Sequence, residues 1–405
     1  MSTAGALVVV SGATAADLPS RKAAPVEYVR VCNTYGAGFF YIPGSDTCLR
    51  VGGRVRFEAL YNQVLAKDTD STGLRARGRV ILDARTATAY GTLRAYASID
   101  VTRSTGAYAK GAFQANSDAS ALDKGFIQFG PITAGRASSM FDFYANSLNM
   151  GTLRGSDSST QLLAYTATFG SGFSATISAE DGAERRNASS RDFQGSNRMP
   201  DIVANLEVTQ GWGSAQVSGA VHEITASSAG AGLKLDSKYG FAGQAGVKIN
   251  LPMLAAGDQL WLQGSYAEGA LSYLGAGSVT VGGVKVSAPD SVAISNGTTA
   301  SVKLTKGYAL TAGLLHYWTP TVRQAVFGSF LNIDSAKSAG LTDFKEYRIG
   351  SNVFWSPVKD FNIGVEVLYA KLDPKGRVAD KNRGGAFTLS SDDSLQARLR
   401  IQRDF

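Results

Sequence analysis

The C-terminal stretch Ser394-Leu-Gln-Ala-Arg-Leu-Arg-Ile-Gln-Arg-Asp-Phe405 alternates residue by residue to the end of the chain. Leu395, Ala397, Leu399, Ile401 and, after a break at Arg403, Phe405 share one face, while Gln396, Arg398, Arg400, Gln402 and Asp404 share the other. A period of two is that of a β-strand with one face in an apolar phase and the other in water. Left unpaired at the end of a soluble domain, such a strand is a liability. A closed barrel in an outer membrane needs it, because its last strand must pair with its first so that no backbone edge meets lipid.

The same split recurs along the chain. Arg50 to Asn62 sets Val51, Gly53, Val55, Phe57, Ala59 and Tyr61 against Arg50, Arg54, Arg56, Glu58 and Asn62. Leu93, Ala95, Ala97, Ile99 and Val101 oppose Arg94, Tyr96, Ser98, Asp100 and Thr102, and Phe361 to Tyr369 divides likewise. Short connections are expected near Ala87 to Tyr90, Gly130-Pro131, Gly170 to Gly172, Gly211 to Gly213, Met253 to Gly257, Thr319 to Thr321 and Ser356 to Asp360. Long polar ones are expected near Val64 to Gly73, Ser104 to Ser120, Ala137 to Thr160, Gly182 to Pro200, Ala226 to Lys238, Leu274 to Val302, Ser335 to Asp343 and Asp373 to Asp393. Tight turns at one rim and long loops at the other mark an outer-membrane barrel, here an all-β, sixteen-stranded antiparallel one over residues 49–405. Sixteen strands leave an aqueous channel where eight would be filled by side chains. The stretches Tyr308 to Trp318 and Val322 to Ile333 are partly apolar on both faces, which suggests packing against a neighbouring subunit.

Composition supports this fold over its alternatives. The 405 residues could make two or three domains, but 46 Gly, 16 Tyr and 19 Phe suit a lipid-facing barrel, whereas a soluble β-sandwich hides large aliphatics. Mean hydropathy is −0.05, and no apolar run approaches the roughly 18 to 20 residues of a spanning helix. Leu7 to Val10 followed by Ala13-Thr-Ala-Ala16 reads as the back half of a secretory leader over 1–16 that lacks its basic start. Cys32 and Cys48, in a segment 17–48 ahead of the barrel, flank Gly36, Gly38, Pro43 and Gly44 and in an oxidising compartment form a disulfide worth about 3 kcal/mol; the alternative is two unpaired thiols.

The charged residues point to a channel. Arg75, Arg77, Arg79, Asp83 and Arg85 share an inward face, and Arg54, Arg56, Arg94 and Arg136 are placed with them as a basic lining. Facing lipid, each Arg would cost about 2–4 kcal/mol at the bilayer midplane, so the register turns them into water. The connection Ala137 to Thr160 is long enough to fold inward. There Asp142 and Asp157 would oppose the basic wall and set a transverse field across the narrowest point, and the inward excess of Arg and Lys suggests weak anion preference. The formal charge of +7 implies no nucleic-acid partner, because the basic residues alternate with apolar ones instead of clustering.

The block Glu27-Tyr-Val-Arg-Val-Cys32-Asn-Thr-Tyr-Gly-Ala-Gly-Phe-Phe-Tyr-Ile-Pro-Gly-Ser-Asp-Thr-Cys48-Leu-Arg-Val-Gly-Gly53 resembles the hallmark of the alphaproteobacterial porins of rhizobial and Brucella type. It spans about a tenth of the chain, and the strand pattern and Phe405 agree over the rest. The resemblance implies an outer-membrane homotrimer of sixteen-stranded channels passing small hydrophilic solutes by diffusion, with the third loop, Ala137 to Thr160, folded inward. Phe405 resembles the signal read by the barrel assembly machinery, and lipopolysaccharide is a further expected contact of the loops.

Other functions fit less well. A lipid hydrolase needs His beside a nucleophile, yet His222 precedes Glu223 with no serine motif and His316 lies in Leu314-Leu-His-Tyr-Trp318. Two histidines are too few for a metal centre beside the cysteines, and no cofactor is expected. Too little chain precedes the first strand for the plug of an active transporter. An adhesin or anchoring role stays open, with Leu274 to Val302 as a projecting hairpin.

Overall fold

A computed structural model describes residues 30–63, 70–109, 116–187, 198–225, 237–295, 300–336, 341–381 and 387–405. The expected leader, 1–16, lies outside the described residues. Sixteen strands form one closed antiparallel barrel. In chain order they are β1 Cys48–Asn62, β2 Thr72–Thr88, β3 Gly91–Thr105, β4 Asn116–Phe129, β5 Ile132–Ser138, β6 Ser159–Gly170, β7 Phe173–Glu180 and β8 Asp201–Gln210. The second half comprises β9 Gly213–Ile224, β10 Lys238–Asn250, β11 Gln259–Glu268, β12 Lys306–Thr319, β13 Val322–Asp334, β14 Phe344–Val358, β15 Phe361–Pro374 and β16 Asp392–Asp404. Each strand pairs with its chain neighbour, and β16 closes on β1 from Arg54 opposite Asp404 to Asn62 opposite Gln396.

The closing ladder continues to the last residue. Gly53 and Phe405 exchange both backbone hydrogen bonds, at 2.9 and 3.0 Å. A Cβ on Gly53 would lie 2.2 Å from the Arg79 carbonyl oxygen and 2.9 Å from the Phe405 ring, so glycine is required for this close approach. Turns are cut at the positions the sequence indicated. Between β6 and β7, Gly170, Ser171 and Gly172 all take positive φ, which reverses the chain within the hairpin.

The outer face is apolar through its middle, with Val55, Val80, Val101, Leu206 and Ile349 exposed. Aromatic residues mark both ends of that band. Tyr90, Phe169, Trp212, Trp318, Trp355 and Phe405 sit by the short turns, while Tyr61, Tyr239, Tyr308 and Tyr347 sit by the long connections. This is the girdle pattern of a barrel crossing a bilayer.

Cys32, ahead of β1, is joined to Cys48, the first residue of β1, in a disulfide with Cα atoms 6.0 Å apart. Both are buried with Phe39, and the Arg85 guanidinium lies 5.0 Å from the Phe39 ring centre, which seats this segment on the inward side of the short-turn end.

The inward apolar face of β12 and β13 is covered from within, while their outward face keeps Leu310, Leu314 and Val326 exposed. Leu315, Ala325 and Phe327 pack on Tyr144, Leu148 and Leu153 of the inward connection, and Ala309, Leu331 and Ile333 join a core beneath the connection 269–305. One sequence expectation is corrected within that connection: the hairpin of Val279–Val281 paired with Val284–Val286 does not project but buries all four terminal valines in a core that Val378 and Leu389 join.

Candidate functional site

The connection between β5 and β6, residues 139–158, folds into the barrel and rests along the inner wall from β7 to β15. Sequence dictates its path by giving each stage a polar anchor on a different strand. At its start, Ser139 Oγ and the Met140 amide donate to Glu180 of β7 at 2.7 and 2.9 Å. Next, the Phe141 carbonyl accepts from Gln244 of β10 at 2.8 Å, and the Tyr144 amide donates to Gln263 of β11 at 2.9 Å. Ala145 and Asn146 then turn through positive φ, uncommon for alanine. Asn146 Oδ1 fixes that turn by accepting from the Leu153 amide and Asn149 Nδ2 at 2.9 and 2.7 Å. The tip is clamped by Glu366 of β15, which accepts from the Met150 and Gly151 amides at 2.6 Å each. On the return, Arg154 forms a two-pronged ion pair with Glu346 of β14. The buried wall is therefore occupied, and the open lumen lies between this loop and the opposite wall of β16, β1, β2 and β3.

That opposite wall carries the basic residues singled out by the sequence, in an arrangement alternation alone did not reveal. Each buried carboxylate is shared by two arginines. Glu58 binds Arg75 and Arg400, with its side chain 1% exposed against 22% and 14% for the guanidinium partners. Asp83 takes Arg85 and Arg94 at 2.8 Å each, and Asp100 takes Arg79 at 2.6 Å and Arg77 at 3.6 Å. Arg79 also reaches Asp123, at 3.0 Å. Arg54 pairs with Asp404 at 3.2 Å, and Arg56 donates to Gln402 at 2.7 Å. Carboxylates thus sit behind and guanidiniums in front, so the surface presented to channel water is positive. These shared acids, Glu58 and Asp100 in particular, were the residues sequence reasoning missed. Their signal was an acid at the inward phase of strands already read as basic.

Two expected members of the site stand elsewhere. Arg136 lies on the outward phase of β5 with Ile132, while Thr133 and Ala137 face inward and are buried. Near the long-loop rim it donates to Glu184 at 2.6 Å and to the Leu122 carbonyl at 3.0 Å, so its charge is neutralised on the outside of the barrel. Asp142 does not confront the wall either. Its carboxylate is enclosed in the loop's own base, accepting from Ser156 Oγ and from the Ser158 amide at 2.7 Å, with Arg185 3.5 Å away. Burial pushes its carboxyl up to about 6, against the pull of Arg185 and these hydrogen bonds. Asp157 is exposed and accepts from Asn146 at 2.8 Å, leaving it as the acid this loop offers to solvent of the two predicted.

Each histidine is paired with a carboxylate. His222 is buried against Asp201 at 2.7 Å, with Tyr273 donating to the other Asp201 oxygen, and His316 pairs with Asp258 at 2.6 Å beside a short turn. Among the described residues no cluster has the composition of a metal site.

A closed barrel with an apolar outer band, a charged aqueous lumen and one loop folded across that lumen is a passive pore of the bacterial outer membrane. A family model described as "Porin subfamily" matches residues 17–397. Over 429 aligned residues the chain is 29% identical to a porin Omp2b of Brucella suis, covering all of this chain and 98% of that one. Among solved structures it is similar to the outer-membrane channel DcaP of Acinetobacter baumannii (TM-score 0.67, 18% identity, 90% and 99% of the two chains). A Salmonella typhi OmpF solved with daunomycin shares the fold at TM-score 0.54 and 14% identity over 89% and 98%. The chain belongs to the porin family and forms a general diffusion channel in the outer membrane of a Gram-negative bacterium.

Proposed function

We propose that the strip of lumen between the arginine wall and the inward loop is the constriction, and that it passes small hydrophilic anions ahead of cations. The sharing of Glu58 and Asp83 carries this reading: each of these buried carboxylates serves two guanidiniums and leaves one net positive charge at the water surface, while Asp100 and Asp123 together balance Arg77 and Arg79. A wall of this kind raises local anion concentration and repels cations within about a Debye length, roughly 10 Å at 0.1 M salt. Asp157 opposes that field from the loop and moderates it, so the preference is weak. Replacing Arg75, Arg77 and Arg79 together with Gln is expected to move the reversal potential in a salt gradient toward cations. An unchanged potential refutes their place at the constriction.

The working unit is a homotrimer in contact with lipopolysaccharide, delivered by the assembly machinery through Phe405, with residues 1–16 removed on export. Three equal conductance sublevels in a planar bilayer are the expected result, and single-level closure of the native species overturns the trimer. The matched relatives are channels, and diffusion without catalysis is the reading carried to this chain.

A further inference from the structure

Below the loop tip, toward the short-turn rim, a cavity of about 210 Å³ opens from the lumen. Its polar side is made by Arg56 of β1, Arg400 of β16 and Arg323 of β13, and its apolar side by Leu148 of the loop, Leu315 of β12 and Phe354 of β14. The register explains why they meet. Arg56 stands opposite Gln402, Gln402 opposite Asn362, and Arg323 opposite Phe354, so these residues ring the barrel at one height.

Among the described residues no carboxylate lines this cavity. Arg400 is offset by Glu58, which also serves Arg75. Among the described residues Arg56 and Arg323 hydrogen-bond to neutral groups, Gln402 for the first at 2.7 Å, and Ser356 and Asn362 for the second at 3.0 and 3.2 Å, and Glu58, which also attracts Arg56, is already shared by Arg75 and Arg400. Arg323 further lies over the Phe354 ring, 4.8 Å from its centre, which holds the guanidinium beside the apolar surface. Elsewhere on the wall an acid is bonded to each pair of arginines, but Arg56 and Arg323 have no acid of their own and face an oily surface instead.

We propose that this cavity is a solute-binding station for small organic monocarboxylates, with the carboxylate on Arg56 and Arg323 and the hydrocarbon part against Leu148, Leu315 and Phe354. Guanidinium recognises carboxylate through paired N–H donors, and an inorganic anion would leave the apolar side unused. The volume lies below the roughly 300–1,000 Å³ of drug-sized sites, so an acid about as large as benzoate fits and a bulky one does not. The proposal rests on the lumen being the conducting path and deepens the anion preference put forward above.

The test is single-channel recording in chloride with benzoate, acetate or benzamide added on the short-turn side. Benzoate is expected to produce resolved blocking events with a residence at least tenfold longer than acetate, and benzamide, which keeps the ring but lacks the charge, none. Arg56→Gln with Arg323→Gln should abolish the benzoate events while the open level persists, which itself reports a folded channel. Benzoate behaving like acetate, or blocking the double variant as well as the parent, overturns the station. The triple variant at Arg75, Arg77 and Arg79 separates the two readings: it should shift the reversal potential yet leave benzoate residence within about twofold. Should the potential fail to move while benzoate still blocks through Arg56 and Arg323, the constriction reading falls and the station stands.

Discussion

Glu366 offers the sharpest perturbation of the inward loop. Its carboxylate is 2% exposed and accepts from two successive amides at the loop tip, Met150 and Gly151, each at 2.6 Å. A hydrogen bond to a charged acceptor contributes about 1.5–3 kcal/mol. In Glu366→Gln the side chain keeps its shape, but one oxygen becomes an NH2 that faces an amide donor, so one bond is lost and the other loses its charge. The net cost to docking is about 3 kcal/mol, or roughly a hundredfold in the ratio of docked to released tip at 1.4 kcal/mol per decade. Asn352 still donates to the Leu148 carbonyl at 2.7 Å and Arg154 still holds Glu346, so release is confined to the tip and the barrel stays closed. Single-channel recording reads this directly as a rise of that order in the ratio of flickering to quiet time. Protease sensitivity at residues 147–152 should rise in parallel. If Glu366→Gln and Glu366→Ala both stay as quiet and as resistant as the parent, Glu366 is not the clamp and the assignment of the tip's anchoring is wrong.

Other expectations can be checked alongside. Replacing Cys32 and Cys48 by Ser removes a cross-link spanning 16 residues worth about 3 kcal/mol, and should open the 30–47 segment to protease while conductance persists. Asp142 has a folded-state pKa above its unfolded value, so the folded protein binds more protons between about 4 and 6. Its burial costs the fold least below that window and destabilises as pH rises through about 6. The difference in heat-unfolding midpoint between the parent and Asp142→Asn in detergent should therefore change across that window, and parallel profiles would sink the idea. Phe405→Ala keeps the backbone pair with Gly53 but removes the exposed ring, so refolding in detergent should succeed while the amount reaching the outer membrane of cells drops; equal amounts would remove Phe405 as an assembly signal.

The barrel was legible because lipid enforces alternation on one face of every strand and because glycine and proline punctuate the short turns. Ser394 to Phe405 and Arg50 to Asn62 show their lipid and lumen faces in their side-chain period, and closure requires the last strand to pair with the first. What sequence hid was non-local. Arg136 reads as another inward arginine until Thr133 and Ala137 are seen to occupy the inner phase of β5. Asp142 looks like a lumen acid until Arg185, far along the chain, meets it at the loop base. The glycine- and serine-rich run after Leu274 resembles an extended surface hairpin because its valines find their partners, Val378 and Leu389, about a hundred residues later. The apolar character of both faces of β12 and β13 was legible, and the cover of the inward one is the protein's own loop.

The β1–β16 seam has a consequence for how the molecule comes into being. Glu58 and Arg400, which meet across it, are 342 residues apart. Contacts of such separation are slow to form, since the intervening loop must be closed before any of them repays the lost entropy. Until β16 has arrived, β1 is an exposed template with unpaired backbone groups, the condition that invites misassociation. A polypeptide that stalls or is clipped before Asp392 can build the hairpins between its neighbouring strands and still have nothing to seal them with. The join therefore works as a completeness check, passed only by chains that carry β16, in which the final aromatic residue forms the last rung.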